Sequence, residues 1–208
     1  MQIKKQSRDS VTNAARRAQI VRAAIETIAE IGYEKATFAT ITERAGLSSP
    51  RMISYHFAGK QDLIRQIVED VYHAGAAYIL ERVKAETTAP GRLRAYLESN
   101  LEFLREHPTD LAALTEIGPH LRDQAGEPYS TAGYQEPSVQ GVVMLLEEGQ
   151  RGGEFGDFDA RSMAVMIRAA IDAAAPRMRG VPALDFDAYR STVVGTFVRA
   201  TQPAGVEQ

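Results

Sequence analysis

The residues between Ser48 and Lys60 carry the side chains that a DNA backbone requires. Serine, tyrosine, histidine, arginine and lysine can all donate hydrogen bonds to phosphate oxygens. No acidic residue falls within this stretch. We therefore expect a surface for a polyanion, built from Thr37, Thr40, Ser48, Ser49, Arg51, Met52, Ser54, Tyr55, His56 and Lys60.

Two kinds of contact are expected within that set. Arg51 is the candidate for base recognition, because a guanidinium can donate two hydrogen bonds to a guanine edge. Tyr55, His56 and Lys60 are the candidates for phosphate contact. A cation such as Lys60 is disfavoured at the start of a helix, and a nearby phosphate would explain it. A solvated, flexible lysine explains it almost as well.

The charge distribution points in the same direction. The formal net charge is −3, but residues 1–60 carry ten Lys/Arg against five Asp/Glu, and residues 61–208 carry fourteen against twenty-two. A basic N-terminal part on an acidic body favours a polyanionic partner for that part alone.

Signals for catalysis or metal binding are weak. The four histidines, at positions 56, 73, 107 and 120, lack the i, i+4 spacing of a helical zinc pair, and there is no cysteine. No HExxH, GxSxG or P-loop motif occurs. We expect no enzyme activity and no cofactor.

Three short helices must position the polar stretch. Val21, Ala24, Ile25 and Ile28 form a buried stripe on a first helix that begins at Thr12 or Asn13, after a mobile arm of residues 1–11, and stops at Gly32. The second helix covers about 37–45. Gly46 allows a tight turn, Ser49 can cap a third helix that starts at Pro50, and Ile53 and Phe57 should anchor that helix.

Residues 13–68 resemble the DNA-binding domain of the TetR family of transcriptional regulators. The first-helix stripe, Gly32-Tyr33, Thr37, the sequence ITERAGLS at 41–48, Tyr55-His56-Phe57, and Lys60 followed by Leu63-Ile64 carry the resemblance. The turn after Gly46 is one residue longer than is usual in the family, and Ser54 replaces a frequent aromatic residue. Tyr55, His56 and Lys60 therefore align more firmly than residues 48–54.

The remainder of the chain predicts a helical body. A fourth helix of about 61–87 runs without a proline from the DNA-binding part into the body. Further helices are expected near 91–107, 109–117, 137–150, 157–175 and 185–200. Residues 118–137 are interrupted by glycine and proline, which is typical of a functional or mobile connection.

Apolar and polar residues of the body could line a small-molecule pocket. Apolar walls with a few polar groups suit such a site, although the same residues are individually more typical of an ordinary core. The resemblance implies an inducer cavity in this body. The candidates are Phe103, His107, Ile117, His120, Tyr129, Tyr134, Met144, Met163, Met166 and Ile167.

Small residues in the last two helices, including Ala164, Ala169, Ala173 and Gly195, would allow close helix packing. They could pack internally or against a second copy. The resemblance implies a homodimer through a four-helix contact.

Together these patterns predict an all-α fold of about nine helices. A helix-turn-helix DNA-binding domain would cover 12–70, and a ligand-binding and dimerisation domain 71–202. We expect a cytoplasmic, repressor-like regulator, with no membrane partner, that an unidentified small-molecule inducer releases from a palindromic double-stranded operator. Repressor and activator remain open, as does a helical adaptor that uses the basic surface for a protein partner.

Overall fold

A computed structural model of the protein describes residues 2–122, 131–178, 180 and 183–205, and the side chains of these residues from 13 to 122 and from 136 onward. The described residues form an all-α fold, as the sequence predicts. The helices are α1 (Gln2–Ile31), α2 (Phe38–Arg44), α3 (Arg51–His56), α4 (Lys60–Ala85), α5 (Ala89–Glu106), α6 (Pro108–Ile117), α7 (Thr131–Arg151), α8 (Ala160–Asp172), α9 (Ala174–Met178) and α10 (Phe186–Ala200).

Helix α1 is longer than predicted. The sequence placed its start at Thr12 or Asn13, whereas the structure begins it at Gln2. Residues 2–31 contain neither glycine nor proline, so no residue type in this stretch interrupts a helix. The predicted end is confirmed: Gly32 adopts φ +83 and its N–H donates to the Ile28 carbonyl at 2.9 Å.

Helix α7 also starts earlier than predicted. Its first residue is Thr131 rather than Pro137, and the proline lies inside the helix. A proline removes one backbone hydrogen bond and crowds the preceding turn, but it does not always end a helix. Two later helices begin with an aspartate cap, since Asp159 accepts from the Ser162 N–H at 2.6 Å and Asp185 from the Ala188 N–H at 3.0 Å.

The helices group into two units by their packing. One unit comprises Met1–Tyr72 and Thr109–Tyr129, and the other comprises His73–Pro108 and Ser130–Gln208. The predicted domain boundary at residue 70 stays a prediction. The described residues 109–122, which lie in the predicted second domain, group with the first unit.

The first unit has a core of branched aliphatic side chains from α1, α2, α3 and the first half of α4. Ile20, Ile28, Ile41, Ile53 and Leu63 are all at most 1% exposed. Helix α6 joins this unit through an ion pair of 2.8 Å between Arg22 Nη1 and Asp110 Oδ1. This core fixes the short helices that carry the polar stretch.

The second unit packs α5, α7, α8 and α10 around a separate apolar core. Its fully buried members include Leu93, Leu97, Leu101, Leu146 and Ile167. No helix in the described part of the chain has the length and apolar content that crossing a bilayer requires.

Candidate nucleic-acid interface

The turn between α2 and α3 is built around Gly46. The Gly46 N–H donates to the Glu43 carbonyl at 3.1 Å, and the Leu47 N–H donates to the Thr42 carbonyl at 3.0 Å. This pair of bonds is a Schellman motif, which needs a left-handed residue at its centre, and Gly46 has φ +62. The glycine therefore ends α2 and redirects the chain towards α3, as predicted.

Helix α3 is anchored by the two predicted residues. Ile53 is 0% exposed and Phe57 is 2% exposed, so one side of this short helix is fixed in the core of the first unit. The predicted Ser49 cap is wrong. Pro50 occupies the cap position without a side-chain hydrogen bond, and the Ser49 carbonyl instead accepts from the Met52 N–H at 3.1 Å.

The outer side of α3 is exposed to solvent. Arg51, Ser54 and Tyr55 are exposed, and the Tyr55 side chain reaches 79%. Among the described residues, neither Arg51 nor Ser54 forms a side-chain hydrogen bond or ion pair. The donors of this surface are thus available to a partner outside the chain.

Thr37 and Thr40 have a structural role at the start of α2. The Thr40 N–H donates to the Thr37 hydroxyl at 3.2 Å, and the Thr37 N–H donates to the Thr40 hydroxyl at 2.9 Å. This reciprocal arrangement is a capping box, with threonine in place of the usual acidic or amide partner. The two side chains still lie partly or fully at the surface, as do Ser48, Ser49 and Met52.

His56 ends α3 and is held through its backbone. Arg17 of α1 donates from Nη1 to the His56 carbonyl, donates from Nη2 to Gln66 Oε1 at 2.7 Å, and lies 4.3 Å from the Phe57 ring centroid. Partial burial, followed by the positive charges of Arg17 and Arg16, lowers the pKa of the His56 imidazole below 6.5. In the DNA-free protein the His56 imidazole is therefore mainly a neutral hydrogen-bonding group at pH 7.

Sequence reasoning missed Arg17 and Gln19, which position the recognition helices from α1. Gln19 Nε2 donates to the Ala45 carbonyl at 2.7 Å and satisfies one of the carbonyl groups left open at the end of α2. Both residues read as ordinary polar surface in the sequence, and no pattern distinguishes them.

Lys60 begins α4 and makes specific contacts within the chain. Its ammonium group donates to the Tyr33 carbonyl at 2.6 Å and lies 3.9 Å from the Tyr33 ring centroid. Partial burial lowers the pKa of Lys60 below 10.5, while the charge of Glu34 opposes that shift. The interpretation of Lys60 as a flexible, solvated lysine is therefore wrong, and its contact with phosphate stays a prediction.

The residues predicted to line a ligand pocket are divided between the two units, and their role stays a prediction. Phe103, Met163 and Ile167 are buried in the second unit, and Ile117 and His120 belong to the first unit. His107 stacks on Phe103 with 4.2 Å between ring centroids. Met166 is exposed, and the side chains of Tyr129 and Tyr134 lie outside the described residues.

Met144 does line an open groove of about 350 Å³ in the second unit. The groove combines apolar side chains with two cations and one carboxylate, and Arg92 Nη1 lies 3.0 Å from Glu148 Oε1. Its lining residues are Val83, Lys84, Arg92, Gly141, Met144, Leu145 and Glu148.

Known proteins match this chain in the part of the first unit that carries the polar surface. Residues 20–67 match the sequence model of "Bacterial regulatory proteins, tetR family". The HTH-type transcriptional regulator BetI of Stenotrophomonas maltophilia is 38% identical over 91 residues, which cover 42% of this chain, and the chain spans only 44% of that relative. The BetI 1 regulator of Chromohalobacter salexigens is 32% identical over 88 residues, covering 42% of this chain and 43% of that relative.

Solved structures share the fold over most of the chain. A bacterial regulatory protein of the tetR family from Rhodococcus RHA1 superposes with a TM-score of 0.74 at 20% identity, covering 91% of this chain and 98% of that one. FadR from Bacillus subtilis in complex with stearoyl-CoA gives a TM-score of 0.71 at 23% identity, with coverage of 89% and 99%. AibR in complex with isovaleryl coenzyme A and operator DNA gives a TM-score of 0.70 at 16% identity, covering 87% of this chain and 97% of that one. The resemblance that the sequence motifs carried is confirmed.

Proposed function

We propose that this chain is a tetR-family regulator, a dimeric repressor that a small molecule releases from its operator, on the basis of the family match at residues 20–67. The observation that carries the DNA-binding part is the outer side of α3. Arg51, Ser54 and Tyr55 are exposed there on a helix that Ile53 and Phe57 hold in place. A recognition helix needs this combination of free donors and a fixed backbone.

The second unit offers support for self-association. Helix α8 buries Met163, Ile167 and Ile171 on one side and exposes Val165 and Met166 on another. Large apolar side chains left exposed on a helix are a feature of interfaces. A dimer would present two copies of α3 to successive major grooves of a palindromic site.

The inducer is proposed to bind in the second unit. The groove beside Met144 places apolar side chains next to two cations, Lys84 and Arg92, and one carboxylate, Glu148, and this net positive lining suits an amphipathic anion. Because FadR and AibR were solved with acyl-coenzyme A molecules, this class is the first to test. A ligand can release DNA only if it binds the DNA-free conformation more tightly than the DNA-bound one.

The test is fluorescence anisotropy with a labelled duplex taken from the DNA upstream of the chain's own gene. We expect binding at least about 10³-fold tighter than to a scrambled duplex of the same length. Equal affinity for both duplexes, or none for either, would favour the adaptor alternative. An inducer at about 100 times its Kd should add about 2.7 kcal/mol to stability in a thermal-shift assay and should reduce DNA binding.

A further inference from the structure

Tyr33, in the turn between α1 and α2, is enclosed by three side chains of the first unit. The residue is 8% exposed. Gln61 Nε2 donates to the Tyr33 hydroxyl at 3.1 Å. His120, at the end of the turn that follows α6, stacks parallel to the ring with 3.9 Å between centroids and 8° between planes.

Lys60 and His120 lie on opposite faces of the Tyr33 ring. The Lys60 ammonium nitrogen and the His120 ring centroid are each 3.9 Å from the Tyr33 centroid. Two groups at that distance cannot occupy the same face without overlap. The tyrosine ring is therefore fixed between a histidine and a lysine, and its hydroxyl is fixed by Gln61.

The Lys60 ammonium group is prepared for an anion. It has three donors, and one of them reaches the Tyr33 carbonyl at 2.6 Å. The nearby carboxylate of Glu34 lies closer to His120, with 3.6 Å between Glu34 Oε1 and His120 Nδ1. A lysine normally loses much rotamer freedom when it binds a phosphate. Here the tyrosine ring and carbonyl already restrict that freedom.

We propose that His120 is a positioning residue for DNA binding, because its stack on Tyr33 holds the ring that places the Lys60 ammonium for a DNA phosphate. This inference rests on the proposed function and deepens it. It gives the segment after α6 a role: displacing His120 from Tyr33 weakens DNA binding. By linkage, bound DNA stabilises the stack to the same extent.

The test is a double-mutant cycle measured with a fluorescein-labelled duplex of random sequence, since a phosphate contact does not depend on base sequence. K60A should weaken binding and reduce the slope of log K against log salt by about 0.9. H120A should weaken binding about three- to tenfold, since it releases part of the restraint on Lys60. In the K60A background, H120A should have no further effect.

Matched variants separate stacking from a general effect on the fold. H120F retains a flat ring and should bind like the wild type, whereas H120Q, a second variant without a ring, should behave like H120A. H73A removes an exposed histidine on α4 and should leave affinity unchanged. The His120 side chain is itself 34% exposed, so these variants should fold.

A spectroscopic measurement tests the same contact without DNA. The Tyr33 ring current should shift the NMR signals of the Lys60 ε-methylene protons upfield, and H120A and H120Q should reduce that shift. Unchanged signals, or equal losses of affinity from H120A with and without Lys60, would overturn the role of His120. Failure of the wild type to bind any duplex would instead overturn the proposed function.

Discussion

Two arginines in the two units show how differently the same side chain can be used. Arg51 on α3 is exposed and has no hydrogen bond or ion pair with any described residue. The Arg168 side chain on α8 is 13% exposed and donates to the Tyr96 hydroxyl at 3.0 Å, to Asn100 Oδ1 at 3.0 Å and to Asp172 Oδ1 at 2.6 Å. Arg168 contributes to the fold, and Arg51 is available to a partner.

The contrast separates stability from recognition. Burial raises the pKa of the Asp172 carboxyl and the Arg168 charge opposes that shift, so the charged pair exists because each group compensates the other. Such a pair adds little net stability, but removing one member leaves the other poorly solvated. Arg51 makes no side-chain hydrogen bond or ion pair with the described residues that would stabilise the DNA-free fold, so its replacement should change stability little. Its replacement should be visible only when DNA is present.

The largest effect is expected from Arg168→Met. The substitution keeps most of the side-chain volume but removes the guanidinium that donates to Tyr96, Asn100 and Asp172. This should lower the free energy of unfolding by about 3 kcal/mol. Urea denaturation followed by circular dichroism measures this loss. A similar Kd for DNA in the remaining folded protein would show that the cost falls on the fold.

Arg94→Met is the matched control, because Arg94 and Glu98 are also four residues apart on a helix. Their side chains are 53% and 39% exposed, with 3.6 Å between Nη1 and Oε1. A solvent-exposed pair is worth at most about 1 kcal/mol. If Arg94→Met cost as much as Arg168→Met, burial would not be what distinguishes the two arginines.

The sequence predicted the recognition part better than the body, for a physical reason. Ile53, Phe57 and Gly46 were assigned correctly, because short-range spacing and backbone requirements determine their roles. The Arg168 cluster joins α5 and α8 across about 70 positions in the sequence, and no local pattern indicates that its members meet. His120 was assigned to a ligand pocket for the same reason, since only the folded chain shows it stacked on Tyr33.

The predicted starts of two helices are wrong because each rested on a single residue. Ser49 and Pro137 are frequent at helix starts, yet α3 has no serine cap and α7 begins six residues before its proline. The ten proposed DNA contacts remain predictions. The structure shows that none of their side chains is buried, which is a necessary condition for their role.

The next effect in size is expected from Arg51→Ala. It should leave the free energy of unfolding within about 0.5 kcal/mol of the wild type, because an exposed side chain without contacts contributes little to stability. It should reduce discrimination at one base step of the operator by about 1–3 kcal/mol. Anisotropy titrations against operators with single base changes measure both the position and the size of the loss.

Arg51→Lys sharpens the same comparison. Lysine retains the charge but cannot form the two parallel hydrogen bonds that read guanine. It should therefore bind random duplex like the wild type and still lose the preference at that base step. Equal weakening of all operators by Arg51→Ala, with full recovery by Arg51→Lys, would show that Arg51 contacts only phosphate.

The smallest effect concerns the pH dependence of His56, which combines both roles on one residue. Burial, Arg17 and Arg16 hold the pKa of the free imidazole below 6.5, so protonation destabilises the free fold as the pH falls from 6.5 through that lower value. A DNA phosphate at His56 would favour the charged form and raise its pKa in the complex. Binding would then take up a proton, and the affinity for random duplex should rise a few-fold as the pH falls from about 8 to about 6.

His56→Gln isolates this contribution, because glutamine donates a hydrogen bond but does not titrate in that range. The wild type and the variant should bind alike near pH 8, where the imidazole is neutral, and should diverge as the pH falls through the pKa of the complex. Parallel curves for both proteins would mean that no phosphate lies at His56. In that case the only contributions of this position to recognition would be the backbone carbonyl held by Arg17 and the end of α3 that it fixes.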